Sequence, residues 1–511
     1  MTQLIALEVN DTALWDRAKV LPMLDVMKAW GYNTLVLHQN DLLDACTQLG
    51  LTANYGVSDL RLKKARTAAA WLSELCARLD RFGARLFLEI KEPSYHDYAL
   101  ELFDDLTDAN GRVSPAAPGW PAFCRAKVDD VLARVPGLGG LIVGLSSPES
   151  RVSLPDHLAG GHSVDSSAWF DAMVEAFRAP LAARGKALYI RDFSYTADLQ
   201  SEVLAAVARA PGHVGASVKI TAHDYFPEYP ENPVARQVPG EVNLEFEAFG
   251  EHTGWGVLPN CRVGAFQRRM VGYREMGAQG MMVRTSWEAI YGVNALDTLG
   301  AVNVFALPRL IEGDRDPRSL VLAWLEEAHG CTSAAAADLM LASWDIPAAA
   351  YWDGAVFPRH SCLPSSWQEG WISMETNGMG RHDLAVEIDP SDPRLTDTAR
   401  AALFAAKDAA VETAAQLARA AARLRPSLPA SLAREFEAFE RLPLFARQFA
   451  LATKATFFAA AGQHGSLPPL KAALEDLDKE ISAKLKTGTY PAHHRVLFSP
   501  EQIGLFTASL P

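Results

Sequence analysis

Eight short apolar segments within the first 290 residues constrain the fold more than any other feature of the sequence. They occupy residues 4–9, 33–38, 85–90, 141–145, 187–191, 215–220, 242–248 and 280–285. Helix-length amphipathic patterns follow them, at residues such as 14–30, 65–82, 121–134, 166–184, 198–209 and 264–276. Continuous apolar strands that alternate with helices are typical of a parallel sheet covered on both faces. Eight such units are the number in a (β/α)8 TIM barrel, which we predict for residues 1–312.

An open, doubly wound α/β sheet is the rival fold. Such sheets often carry a glycine-rich phosphate-binding turn directly after the first strand. Here the first apolar segment leads into "EVNDTALWD" (8–16), which contains no glycine. The sequence therefore favours the barrel.

The last third of the chain has a different pattern. Residues 317–344 predict two helices, and an alanine-rich helical pattern begins at about 396 and continues, with further helices, to about 487. Between them, residues 345–392 contain Trp352, Trp367 and Trp371 with many Gly, Ser and Pro, which predicts an aromatic-rich loop. We expect residues 313–511 to form an α-helical C-terminal domain.

The composition limits the partners and the compartment. The chain has 48 basic and 61 acidic residues, a formal charge of −13, and no long basic run. That balance argues against nucleic acid and against anionic membranes as partners. The first residues lack a signal-peptide pattern, and the sequence contains no run of about 18 apolar residues, the length needed to span a bilayer. We expect a cytoplasmic protein, with homodimerisation left open, whose six widely spaced cysteines stay reduced.

Polar, charged and aromatic residues collect where the predicted strands end. In a TIM barrel the active site lies at these strand ends. The candidate residues are His38, Asn40, Glu149, Arg191, Lys219, His223, Asp224, Glu245, Glu251, Trp255 and Trp287. Indole rings can stack on the apolar face of a sugar, and charged groups can bind its hydroxyls. Two carboxyl groups flanking a glycosidic bond can protonate the leaving oxygen and activate water, so the pattern favours a sugar-cleaving site.

Some of these residues also have simpler interpretations. Glu149 follows a proline and could cap a helix, and Arg191 could form a surface ion pair with Asp192. Glu245 and Glu247 alternate on one strand and share a face, so one of them could simply neutralise a cation inside the barrel.

A metal site is a further alternative. His38, His96, His223 and His252 could bind zinc together with Asp224, as in amidohydrolase-type barrels. No His-x-His pattern follows the first apolar segment, and scattered histidines more often form hydrogen bonds. We therefore predict neither a metal nor another cofactor.

The order and spacing of the candidate residues resemble the α-glucuronidases of glycoside hydrolase family 67. Lys219 precedes Asp224 by five residues, with aromatics and prolines following, similar to the Lys-x-x-x-x-Asp-Phe pattern of that family. The segment "LEFEAFGEHTG" resembles the family's Leu-Glu strand and the glutamate six residues beyond, here Glu245 and Glu251. The segments "RDFSY" (191–195) and "LGAVNVFALPRLIEGD" (299–314) are similar to the family's fifth strand and closing helix.

The resemblance implies inverting catalysis, with Glu149 as general acid and with Asp224 and Glu251 jointly holding the attacking water. It also implies that Lys219 and Arg191 bind the sugar. Three features depart from the family: the predicted barrel starts without the family's N-terminal β-domain, the acid loop reads "SSPES", and Leu145 stands where the family has a uronate-binding lysine.

Taken with the residues, the resemblance predicts an exo-acting glycoside hydrolase that removes a terminal α-linked sugar from a short oligosaccharide or glycoside. A uronic acid is the favoured sugar. Two other classes stay open: a metal-assisted barrel hydrolase or sugar isomerase, and a non-catalytic carbohydrate-binding protein.

Overall fold

The computed structural model describes most of the chain. The described residues are 3–49, 56–101, 103–194, 197–221, 224–225, 231–238, 240–288, 290–352, 361–375, 388–389 and 391–511. None of the helices found among them is both long enough and apolar enough to cross a membrane.

Eight parallel strands close into a barrel in sequence order, which confirms the predicted TIM barrel. The strands are β1 (Ile5–Val9), β2 (Thr34–His38), β3 (Arg85–Lys91), β4 (Gly140–Gly144), β5 (Ala187–Asp192), β6 (Gly215–Lys219), β7 (Val242–Glu247) and β8 (Gly280–Arg284). The barrel closes where β1 pairs with β8, with Ala6 opposite Met282 and Glu8 opposite Arg284.

Helices cover the barrel and continue beyond it. Around the barrel lie α1 (Arg17–Trp30), α2 (Leu42–Cys46), α3 (Gly56–Asp80), α4 (Trp120–Arg134), α5 (Leu154–Ala159), α6 (Ser166–Ala182), α7 (Ala197–Arg209), α8 (Val263–Glu275) and α9 (Ala301–Glu312). One expectation was wrong, because the described residues between β6 and β7 form only a 3-10 turn, Pro233–Arg236, and no helix. That stretch is rich in prolines, which lack the N–H that a helix interior needs.

The C-terminal region is helical, as predicted. Its helices are α10 (Pro317–His329), α11 (Ala334–Ala342), α12 (Asp345–Pro347), α13 (Trp367–Glu375), α14 (Asp397–Leu424), α15 (Ala430–Glu435), α16 (Leu442–Ala460), α17 (Leu467–Lys486) and α18 (Pro500–Ser509). The expected loop at 345–392 is therefore partly helical. Trp371 is fully buried, with its ring 5.5 Å from that of Phe457, so it packs within the helical region.

The barrel interior consists of two layers. Side chains two residues apart on a strand point to the same face, so β1, β2, β3, β5 and β8 each contribute to both layers. The apolar layer contains Ala6, Val36, Phe87, Ile142, Tyr189 and Met282. Two residues further along the strands lies the ionic layer, formed by Glu8, His38, Glu89, Arg191, Lys219, Glu245 and Arg284, all buried. The ionic layer is the one nearer the C-terminal strand ends.

Candidate active site

A cavity of about 190 Å³ opens above the ionic layer. It is lined by Asn10, Lys91, Glu149, Arg191, Phe193, Lys219, Asp224, Glu251, Arg284, Trp287 and Glu288. Four of these side chains are acidic and four are basic, and two are aromatic. Because it lies at the C-terminal strand ends, the cavity occupies the place where TIM barrels carry their active sites.

A larger groove of about 580 Å³ runs against α1 and α3. Among the described residues that line it, Asp41 is the single carboxylate, beside basic residues such as Lys63 and Lys64. It therefore offers no pair of carboxyl groups for acid–base chemistry, and the smaller cavity is the candidate active site.

Glu149 stands in the loop between β4 and α5. Ser150 Oγ donates to the Glu92 carbonyl oxygen over 3.3 Å, which ties this loop to the end of β3. Helix α5 is capped by Ser153, so Glu149 is not a helix cap. The Glu149 carboxylate accepts a short hydrogen bond from Lys91 Nζ, and 37% of its side chain is exposed.

The Lys91 contact controls the charge of Glu149. Burial alone would raise the pKa of this carboxyl group, but the Lys91 ammonium outweighs burial and holds the pKa of Glu149 below its ordinary value. Burial also lowers the pKa of Lys91, while Glu149 acts to raise it. In this arrangement Glu149 is a carboxylate, and a role as proton donor requires Lys91 to move away or to find another anion.

Asp224 faces the cavity beside the end of β6. Lys219 Nζ donates to its Oδ1 over 2.6 Å, and the Tyr225 N–H donates to the same oxygen over 2.9 Å. Lys219 Nζ also lies 4.1 Å from the centre of the Phe193 ring. Burial would raise the pKa of Asp224, but Lys219 and His252 hold it well below its usual range. Asp224 is therefore ionised and can accept a proton.

The loop after β7 positions Glu251. The Glu247 carboxylate accepts hydrogen bonds of 2.8 Å from the N–H groups of both Gly250 and Glu251. Gly250 has φ +90, and a Cβ there would lie 2.6 Å from Thr253 Oγ1, so only glycine fits. From the helical region, Ser361 Oγ donates to the Glu251 carbonyl oxygen over 2.9 Å. Both the turn and the C-terminal region thus hold Glu251 at the cavity.

His252 lies between the two carboxylates on this side of the cavity. Its Nε2 is 3.4 Å from Asp224 Oδ2 and 3.5 Å from Glu251 Oε1. Burial would lower the pKa of His252, but Asp224 and Glu251 raise it to about 9. Burial and Asp224 would raise the pKa of Glu251, and His252 brings it below its ordinary value. The imidazolium therefore allows two ionised carboxylates to stay close together.

Ion pairs connect the residues beneath the cavity. Arg191 Nε lies 3.0 and 2.9 Å from the two Glu245 oxygens, and 3.0 Å from Glu89 Oε1. His38 Nδ1 is 2.8 Å from Glu8 and 3.2 Å from Glu89. Burial raises the pKa of Glu89, and burial with the nearby cations lowers the pKa of His38 far enough to keep its ring neutral. The ionic layer is a buried floor of mutually paired side chains beneath the cavity.

The structure brings together about half of the predicted site. Glu149, Arg191, Lys219, Asp224, Glu251 and Trp287 line the cavity. His38 and Glu245 lie beneath it. Asn40 is exposed at the end of β2, and Trp255 is buried with its ring 4.5 Å from that of Trp287, so neither lines the cavity. His223 lies outside the described residues.

Arg191 and Asp192 do not form the surface ion pair that the sequence left open. Arg191 points into the barrel, whereas Asp192 is buried and accepts hydrogen bonds from Gln200 over 2.5 Å and from Asn232 over 3.3 Å. Adjacent residues on a strand face opposite sides, which explains the separation.

The cavity also contains residues that the sequence-based selection missed, namely Asn10, Lys91, Phe193, Arg284 and Glu288. Strand alternation is the signal that could have found some of them. Lys91 and Phe193 each follow an ionic-layer residue by two positions, and Arg284 follows Met282 by two. No such signal identifies Ser361, which donates to the Glu251 carbonyl oxygen, because Ser361 is 110 positions from Glu251 in sequence.

Within the described part of the chain, two groups have ligand atoms close enough to share a metal ion: Glu8 with His38 and Glu89, and Asp224 with Glu251 and His252. A cation already contacts each group. Arg284 Nε lies 3.2 Å from Glu8, and Lys219 Nζ lies 2.6 Å from Asp224. Because side-chain cations compensate these carboxylates, the residues fit a metal ion poorly.

The comparisons with known proteins show a similarity of fold and no match at the level of sequence. No family model and no curated protein matches the sequence. The solved structure of a GH138 enzyme targeting pectin rhamnogalacturonan II matches with a TM-score of 0.66 and 10% identity over 98% of this chain and 64% of that chain. This chain therefore spans less than two thirds of that protein.

Other solved structures match less closely. A GH20 exo-β-N-acetylglucosaminidase from Vibrio harveyi has a TM-score of 0.40 and 11% identity over 67% of this chain and 58% of that chain. A β-N-acetylhexosaminidase from Bacteroides fragilis has a TM-score of 0.34 and 12% identity over 62% of this chain and 67% of that chain. These neighbours carry family numbers other than 67 or none, so the family 67 resemblance stays a sequence-based interpretation.

Proposed function

We propose that this chain is an exo-acting glycoside hydrolase that removes a terminal α-linked sugar, with a uronic acid favoured, from a short oligosaccharide or glycoside. The observation that carries this proposal is the small cavity lined by Glu149, Asp224 and Glu251, with Trp287 and several cations. The fold likeness to an enzyme targeting pectin rhamnogalacturonan II supports a carbohydrate substrate.

The carboxyl groups divide into an acid and a water-binding pair. Glu149 donates its proton to the glycosidic oxygen as the bond from that oxygen to the anomeric carbon breaks. Asp224 and Glu251 hold a water whose oxygen attacks the anomeric carbon from the opposite face, and its proton passes to one of the two. Inverting enzymes separate acid and base by about 6.5–9.5 Å to accommodate this water.

The size and floor of the cavity favour exo action. A volume of about 190 Å³ accommodates little more than a single sugar ring. The ionic layer closes its base with buried, mutually paired side chains such as Arg191, Glu245 and Glu89. A chain therefore enters with its terminal sugar first, and cleavage releases that sugar.

The ion pair between Lys91 and Glu149 predicts a preference for acidic pH. Catalysis needs Glu149 protonated and Asp224 ionised, and the pKa values of both groups are lowered. Since kcat/KM follows the protonation of the free enzyme, it should rise as the pH falls towards the pKa of Glu149.

A panel of nitrophenyl α- and β-glycosides and uronides tests the proposal. We expect hydrolysis of an α-uronide, with loss of activity in Glu149→Gln and Asp224→Asn, and unchanged activity in the surface control Glu175→Gln. Binding of uronic acid without hydrolysis of any glycoside would instead favour a carbohydrate-binding protein.

A metal-assisted hydrolase or sugar isomerase is the second candidate, because the ligand atoms of Asp224, Glu251 and His252 lie close enough to share a metal ion, although Lys219 already contacts Asp224. The two proposals differ in their metal requirement. Activity that disappears on treatment with a chelator and returns with a divalent cation would support the metal-assisted enzyme, whereas chelator-resistant hydrolysis supports the glycoside hydrolase.

A further inference from the structure

The four cations of the cavity differ in how they are engaged. Arg191 binds Glu245 through both carboxylate oxygens, and Lys219 donates to Asp224 over 2.6 Å. Lys91 donates to Glu149. Each of these three cations therefore already satisfies a carboxylate, and a substrate would have to break an existing ion pair to use it.

Arg284 is arranged differently. Its Nε donates to Glu8 Oε1 over 3.2 Å, and its guanidinium carbon lies 5.1 Å from the centre of the Tyr225 ring. Among the described residues, Glu8 is the only carboxylate that accepts a hydrogen bond from the Arg284 guanidinium. Arg284 is also among the residues that line the cavity.

The surroundings of Arg284 fix its orientation. The residue is 5% exposed, its Nε donates to Glu8, and its guanidinium carbon lies over the Tyr225 ring. A guanidinium fixed in this way loses little freedom when it binds a planar anion through two parallel hydrogen bonds. A neutral hydroxymethyl group offers no such bidentate acceptor.

We infer that Arg284 binds the carboxylate of a uronic acid in this cavity and determines the preference for a uronide over the neutral glycoside. The inference rests on the proposed function and makes it more specific. It also assigns uronate recognition to Arg284, at the end of β8, and not to Arg191. The guanidinium of Arg191 is already paired with Glu245 and Glu89. Arg284 is opposite Glu149 in the barrel, because β8 and β4 face each other across its axis.

Calorimetric binding of free sugars tests the inference without depending on the glycosidic linkage. The probes are D-glucuronate and D-galacturonate, with D-glucose and D-galactose as their neutral counterparts. We expect the unchanged protein to bind one uronate more tightly than its neutral counterpart. Arg284→Met and Arg284→Lys should each reduce that preference by about 10- to 100-fold, the worth of a hydrogen bond to a charged group.

Two further variants keep the test decisive. Arg318→Met removes an exposed arginine paired with Asp338 and should leave the preference unchanged. The double variant Glu8→Gln/Arg284→Met avoids an unpaired Glu8 charge in the core, so it gives the same readout if Arg284→Met alone does not fold.

The outcomes separate the inference from the proposed function. A uronate preference that survives in both Arg284→Met and the double variant would overturn the inference and leave the proposed function intact. An unchanged protein that binds neutral sugars as tightly as uronates would overturn the uronate part of the proposed function, whatever the variants do.

Discussion

The two layers inside the barrel use the same strands for opposite purposes. The apolar layer packs Phe87 and Tyr189 with their rings 6.2 Å apart, and it excludes water. Two residues further along the same strands, Glu89 and Arg191 form an ion pair of 3.0 Å. A step of two residues on β3 and β5 thus separates a hydrophobic core from a charged floor.

The difference shows where stability and chemistry reside. Burial of apolar surface stabilises the apolar layer without requiring particular orientations of its side chains. Buried charges are costly unless they are paired, so the ionic layer must keep its partners in fixed positions. That fixed geometry is what a site needs in order to orient a substrate. Substitutions in the two regions should therefore separate loss of activity from loss of stability.

The largest expected effect is the loss of kcat/KM on substitution of Glu149 in the cavity wall. Glu149→Gln should lower kcat/KM by about 10²- to 10⁴-fold, the usual contribution of a general acid. The loss should be smaller for a nitrophenyl glycoside, whose leaving group needs little protonation, than for a sugar leaving group. Asp224→Asn should affect both substrates alike. Equal losses in Glu149→Gln for both leaving groups would contradict the acid role.

The apolar layer should respond in the opposite way. Phe87 is fully buried, and Phe87→Ala should lower the free energy of unfolding by about 3–5 kcal/mol through the cavity that it leaves. Denaturant unfolding measures this loss, while kcat/KM per folded molecule should change little. A large loss of kcat/KM in a fully folded Phe87→Ala protein would show that the two layers are not separable.

His252 links the cavity to stability through pH. Its pKa is raised to about 9, so its contribution to stability is complete below the unfolded value of about 6.5 and is lost as the pH rises through 9. The contribution is at most about 3 kcal/mol. Unfolding free energies of the unchanged protein and of His252→Gln should therefore converge between pH 6.5 and 9. Parallel curves over that range would contradict the charged imidazole.

The smallest expected effect is a shift in the pH profile. Because Lys91 lowers the pKa of Glu149, Lys91→Met should move the alkaline limb of kcat/KM to higher pH. Lys479→Met, at an exposed position, provides the control. If the limb stayed in place in Lys91→Met, a group other than Glu149 would be the titrating acid.

The fold was readable from the sequence because each strand of a covered parallel sheet is a continuous apolar run. The periodicity of those runs predicted all eight strands to within a few residues, as β2 (Thr34–His38) and β8 (Gly280–Arg284) show. The described residues between β6 and β7 contain a 3-10 turn and no helix, and the expected alternation of strands and helices did not account for the prolines there.

The site was only partly readable. Strand ends identified Glu149, Asp224 and Glu251 as residues of one cavity, but pairing depends on side-chain directions that spacing alone does not give. Sequence reading could not show that Arg191 binds both oxygens of Glu245, whereas Arg284 donates from its Nε to Glu8. Ser361 supports Glu251 from 110 positions away, a contact that only the fold creates.

The stereochemistry of sugar release tests the central claim most directly. An α-linked glucuronide or galacturonide with a sugar leaving group is incubated with the protein, and the first product is followed by proton NMR before its anomers equilibrate. The account predicts a free uronic acid that appears first as the β anomer, and release by Glu149→Gln that is slower by about 10²- to 10⁴-fold. Release of the α anomer first, or release of neutral sugars alone, would contradict it.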